Sequence, residues 1–333
     1  MNHFTRLNNR LGPTRRAAGA LVALAISLPV ALPAAAQGYP NKPIRIVVPY
    51  AAGGTTDQLA RAIQPAMSES LGQTIIIDNK PGAGGSIGAD QVAKATADGY
   101  TLLFGNTGPS AVLSMMRKTP YDELKDFRPI STVAITPMIL AIPNDIPAKT
   151  VKEFVAYVKK SGSTLNIGSV GNGSLSHMTS EYFNSMAGVR LTHIPYNGGG
   201  PLAVAMLGGQ VQAAFVTGLD GATMIASGKV RYLGVGTLQP TPVVPGLPTI
   251  AQDVPGFKST AWFGVLAPKG TPEEIVTKLH SAVAAAVARP EIRKLFADRN
   301  VEARSSTPAE LEAIIKDEIV QWKPVIRDAK IEM

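Results

Sequence analysis

A strand-like run, Ile44-Arg45-Ile46-Val47-Val48, leads into Pro49-Tyr50-Ala51-Ala52-Gly53-Gly54-Thr55-Thr56-Asp57-Gln58, where two glycines precede a helical pattern. Glycines at such a junction let backbone N–H groups converge, and the helix start adds the positive end of its dipole; together they suit an anion. Thr55 and Gln58 have the spacing of a capping box. Asp57, in the first turn, complements the dipole and is equally placed to orient a water or a ligand hydroxyl. One loop of this kind is better read as a tight turn. The pattern recurs, however: residues 165–169 run as a strand into Val170-Gly171-Asn172-Gly173-Ser174, with Ser174 placed to cap the next helix. Neither loop holds Lys or Arg. Two loops of neutral donors would close on a carboxylate and still release it.

Other chemistries have weaker support. Gly84-Gly85-Ser86-Ile87-Gly88 matches the G-x-S-x-G nucleophile elbow. That elbow needs a strand directly before it, and a later acid and histidine. A secreted serine hydrolase using Ser86 or Ser174 with His177 is the competing reading from another class. Gly82, Gly84 and Gly88 lack a P-loop lysine and Rossmann spacing, so they read as a structural loop. His177 follows the second glycine loop and is within reach of a cleft; a satisfied polar residue near a helix start explains it equally well. No His/Asp/Glu spacing suggests a metal, cysteine is absent, and no cofactor is expected.

The elements that must position these loops alternate between strand-like and helix-like patterns, which predicts α/β lobes with largely parallel sheets. Residues 55–71 read as a helix with Leu59, Ile63, Ala66, Met67 and Leu71 on one stripe, and Pro65 is expected to kink or interrupt it. Residues 75–77 and 100–104 read as strands, with a helical stretch near 88–95 between them. A Pro-rich passage over 142–147 precedes a second series: helix 151–160, strand 165–169, helix 174–186, and strands 191–194, 211–216 and 230–235. A Pro/Gly-rich passage at 240–255, a strand at 261–267 and helices from Pro272 complete the chain.

Residues 1–36 read as a signal peptide. Arg6, Arg10, Arg15 and Arg16 form a basic start without an acid, residues 17–32 are apolar, and Ala34-Ala35-Ala36 supplies a cleavage signal before Gln37. Those four arginines carry half of the formal net charge of +8. The remaining excess is thinly spread, without basic clusters among aromatics, so no nucleic-acid partner is expected.

Several segments together resemble the substrate-binding proteins of tripartite tricarboxylate transporters, the Bug family. They are residues 50–61 (YAAGGTTDQLAR), 78–88 (DNKPGAGGSIG), 98–103 (DGYTLL), 168–178 (GSVGNGSLSHM), 193–198 (HIPYNG), 208–211 (GGQV), 247–249 (LPT) and 263–272 (FGVLAPKGTP). The resemblance implies a periplasmic binding protein type II fold: two α/β lobes around a hinged ligand cleft. It places ligand contacts at Tyr50, Ala52, Gly53, Gly54, Thr55, Thr56 and Asp57, and in the second lobe at Ser169, Gly171, Gly173 and Ser174, with His177 near them. Tyr196, Thr217 and Asp220 would add side contacts, with Asn106 and Thr107 as neighbours. Asn197 stands where the family often has Lys, which removes a cation near the cleft mouth and argues against a highly charged tri-acid.

The expected protein is therefore a periplasmic, monomeric receptor rather than an enzyme. Residues 37–140 and 260–333 form lobe 1 and residues 141–259 form lobe 2, with crossings near Ile142 and Ala261. It would capture a small aliphatic or aromatic carboxylate and deliver it to the large and small membrane subunits of a tripartite transporter. Presentation of ligand to a receptor kinase, as a periplasmic sensor partner, is the alternative use of the same clamp.

Overall fold

The computed structural model describes residues 38–162, 165–328 and 331; the expected leader and its cleavage point at Gln37 lie outside them. The chain begins with a parallel unit. β1 (Ile44–Val48) lies between β2 (Ile75–Asn79) and β3 (Thr101–Asn106) and pairs in parallel with both. Ile44, Ile46, Val47 and Val48 are fully buried, as a strand covered on both faces requires. α1 (Thr55–Leu71) connects β1 to β2 and turns Leu59, Ile63, Ala66 and Met67 into the core. It remains one helix through Pro65, where a kink or an interruption was expected. Pro65 is exposed, so water can reach the Arg61 carbonyl that lacks its usual N–H partner. α2 (Ser86–Ala93) connects β2 to β3.

The sequence reading places no element over residues 127–138, yet β4 (Phe127–Pro137) is the longest strand among the described residues, and Met138 alone separates it from β5 (Ile139–Pro143). β5 belongs to a second sheet. There α3 (Val151–Lys160) precedes β6 (Asn166–Ser169), α4 (Leu175–Ala187) and β7 (Thr192–Pro195). Then follow α5 (Gly199–Leu207), β8 (Ala213–Val216), α6 (Gly218–Ala226) and β9 (Val230–Val235). Helices α5 and α6 were not anticipated; each starts at glycines that read as loop. The chain returns through β10 (Thr260–Pro268), then α7 (Glu273–Ala288), α8 (Pro290–Ala297), β11 (Glu302–Ala303) and α9 (Pro308–Asp328).

The result is two α/β lobes. The first sheet has the order β11-β4-β10-β3-β1-β2 and the second β7-β6-β8-β5-β9. In each sheet a parallel trio is extended by one antiparallel strand attached to an interlobe crossing: β10 between β3 and β4, and β5 between β8 and β9. The first crossing is at Met138, and the expected one near Ile142 falls inside β5; so does the expected lobe boundary at residue 140. The return runs between Val235 and Thr260. Backbone hydrogen bonds tie the crossings together: Met138 N–H donates to Ser259 O (3.0 Å), Gly236 N–H to Met138 O (2.7 Å) and Ser259 N–H to Gly236 O (2.8 Å). α9 touches both lobes. The indole N–H of Trp262 on β10 donates to Glu318 at 2.9 Å, while Trp322 packs edge-on against Tyr182 of α4 at 5.8 Å.

Candidate functional site

The two glycine loops face each other across one cavity. From the first lobe it is lined by Tyr50, Gly54, Thr55, Thr56, Asn106 and Thr107. The second lobe contributes Ser174 and Ser176 from the start of α4, Gly198 and Gly199 from the start of α5, and Thr217 and Asp220 from the start of α6. Met138, Phe215 and Phe263 are among the apolar walls. The cavity is small, about 50 Å³, room for a few water-sized groups.

On the first lobe, the β1–α1 junction departs from the expected capping box. Gly54, not Thr55, is the N-cap, and no side chain caps the helix from that position. Gln58 Nε2 instead donates to Gly53 O at 2.8 Å. Gly53 adopts φ +88, the left-handed turn that glycine allows. Asp57 braces this turn from behind: it accepts from Gly53 N–H (2.9 Å), from Arg61 Nε (2.9 Å) and from Asn79 Nδ2 (3.0 Å). Burial pushes its carboxyl up, but the bonds from Arg61, Gly53 and Asn79 prevail and hold it below the usual value. Asp57, Ala52 and Gly53 therefore shape the loop without lining the cavity.

The opposite rim reaches across to that helix. Asp220 Oδ1 accepts from the N–H of Thr55 at 3.0 Å, and the hydroxyls of Thr55 and Thr217 are 2.5 Å apart. Thr217 caps α6 by accepting from Asp220 N–H. A carboxylate of the protein itself thus occupies the first N–H of α1. Burial pushes the Asp220 carboxyl up, opposed by hydrogen bonds from Thr55 and Thr217. Gly199 makes the approach possible, because a Cβ there would lie 2.1 Å from Asp220 Oδ1.

The second glycine loop is held from below. Ser174 caps α4 as expected, accepting from His177 N–H and donating to Gly171 O at 2.6 Å. His177 Nδ1 accepts from Gly173 N–H at 3.1 Å, and its ring stacks on His193 at 3.9 Å. His193 Nε2 lies 2.6 Å from Ser169 Oγ. Burial pushes His177 down to about 4 and His193 down to about 3, the latter with help from His177, so both rings are neutral. Ser169, Gly173 and His177 support the loop, and Gly171 and Tyr196 line a separate cavity at the mouth. The hydrolase geometry is not formed: Ser174 Oγ bonds Gly171 O and Ser176 Oγ, and Ser86 Oγ bonds Arg117. Sequence reasoning missed the glycines at 198 and 199 and the walls Met138 and Phe215. The His-x-x-Tyr-Asn-Gly run and the strand-then-Thr pattern before Thr217 were the available signals.

A family model described as the tripartite tricarboxylate transporter family receptor matches residues 59–331. Among solved structures, the chain is similar to periplasmic binding protein BugD, with 35% identity, 88% of this chain and 99% of that one covered, and a TM-score of 0.83. It is similar to R. palustris Rpa4515 with adipate at 34% identity, over 88% and 99% of the two chains, with a TM-score of 0.85. MatC from Rhodopseudomonas palustris with bound malate gives 34% identity over 86% and 100%, with a TM-score of 0.82.

Proposed function

The chain belongs to the tripartite tricarboxylate transporter family of receptors, and from that premise we propose that it captures a small organic carboxylate between its lobes and passes it to the large and small membrane subunits of a transporter. The observation that carries this reading is the convergence of helix starts from both lobes on one cavity. Backbone N–H groups, the hydroxyl of Thr56 and the amide of Asn106 supply neutral donors, while Phe215 and Phe263 suit a hydrocarbon body. Adipate and malate, bound in similar structures, support a dicarboxylic or hydroxy acid. Family membership supports a periplasmic location, and the basic–apolar–small pattern of residues 1–36 supports export through a cleaved leader. We assign residues 37–138 and 260–333 to lobe 1 and residues 139–259 to lobe 2, and the working receptor is a monomer.

A thermal-shift panel of mono-, di- and tricarboxylates tests the proposal on the exported protein. At 100 times its dissociation constant, the right acid stabilises the fold by about 2.7 kcal/mol. A panel in which no acid shifts the transition refutes it.

A further inference from the structure

Beside the inner cavity, at the mouth of the cleft, is a second space of about 270 Å³. Tyr50 and Val170 line both, so they form the partition between them. The first lobe supplies the loop over Pro81, Gly82, Ala83, Gly84 and Gly85, and the second supplies Asn172 and Asn197. Arg117 is the one charged residue among those lining it. Its terminal nitrogen donates to Ala83 O at 2.9 Å and to Ser86 Oγ, which fixes the guanidinium against the loop. Its Nε is buried and closed to a ligand, but its other terminal nitrogen makes no hydrogen bond among the described residues, and Arg117 forms no ion pair there.

A guanidinium nitrogen beside a cavity, without an acceptor from the protein, is free to take one from a ligand. An ionised acceptor such as a carboxylate oxygen gives the strongest such bond. The geometry points to a second anion subsite at Arg117 that takes the distal carboxylate of a dicarboxylate whose other end fills the inner cavity. This rests on the proposed carboxylate function and narrows it to diacids. It also restores, from another segment of the chain, the positive charge that Asn197 leaves out.

Calorimetry with adipate and hexanoate, which share a carbon chain and differ by one carboxylate, tests the subsite. The wild-type protein binds adipate more tightly. Arg117→Gln lowers adipate affinity about ten- to a hundredfold and leaves hexanoate within about twofold. Asn197→Lys, which returns a cation to the same cavity from the opposite lobe, recovers adipate preference in the Arg117→Gln background. Should Arg117→Gln fail to fold, Asn197→Lys alone gives the readout: it raises affinity for adipate and not for hexanoate. Equal losses of both acids would reduce Arg117 to a prop for the glycine loop and overturn the subsite, as would equal wild-type affinity for the two. If no carboxylate of any kind binds, the parent function falls and the subsite with it; binding of both acids without discrimination removes the subsite alone.

Discussion

Asp220 places a negative charge inside a cavity that we propose receives an anion. Two carboxylates at one helix start repel, and the cheapest relief is for one to take up a proton. Burial already raises the Asp220 carboxyl, so acid conditions neutralise it first. Carboxylate affinity should therefore fall as pH rises through the raised Asp220 titration, with proton uptake on binding. Asp220→Asn keeps the acceptor for Thr55 N–H and removes the titration, so its affinity should be flatter with pH. Calorimetry in buffers of different ionisation enthalpy measures both, and identical pH slopes would refute the idea. The stacked histidines report on stability instead. Their values in the fold lie below the ordinary one, so the native state favours neutral rings. The resulting stability is present above about pH 6.5 and is lost as pH falls through about 4. His177→Asn retains an acceptor for Gly173 N–H, and should flatten the acid limb of a melting-temperature profile.

Among the elements, α1 departs from its local rules, as α9 does at Pro324. It carries Pro65 in its interior, exposed and without the N–H that Arg61 O would accept. An interior proline costs about 3 kcal/mol relative to alanine, offset by up to about 1 kcal/mol from a stiffer unfolded chain. Pro65→Ala should thus stabilise the protein by about 2 kcal/mol in denaturant unfolding. Ligand affinity should not change, because the cavity touches only the first turn of α1. A destabilised Pro65→Ala protein would mean that the freed carbonyl is already satisfied by the fold.

For the whole molecule, the question is what limits closure. The first residue of α6, Gly218, meets the loop after α8: a Cβ there would lie 2.0 Å from Arg299 O and 2.7 Å from Asn300 Cβ. Backbone cannot rotate away as a side chain can, so Gly218→Ala should hold the lobes apart. An overpacking cost of about 1–3 kcal/mol would appear as roughly tenfold or greater loss of affinity. Ligand contributes to closure only through its greater affinity for the closed form. Small-angle scattering with a confirmed acid should show compaction for the wild type and a larger radius for Gly218→Ala. Equal compaction in both would show that this contact yields.

The sequence by itself determined the α/β alternation, the bounds of β1, α1 and α3, the capping role of Ser174 and the two glycine loops. These depend on near neighbours: period, a cap three residues from its N–H, a turn that needs glycine. It could not show β4, whose Pro129 and polar positions obscure a strand recognisable only once β10 pairs with it. Nor could it show that Thr55 N–H would be taken by Asp220, 165 residues away, or that Asp57 would brace a turn rather than line the cavity. His177 and His193 acquired their roles by stacking across two elements. Arg117 reached the cleft mouth from a segment with no motif at all. Hydrogen bonds and charges act over a few ångströms of space, and only the tertiary structure decides which distant residues come within that range.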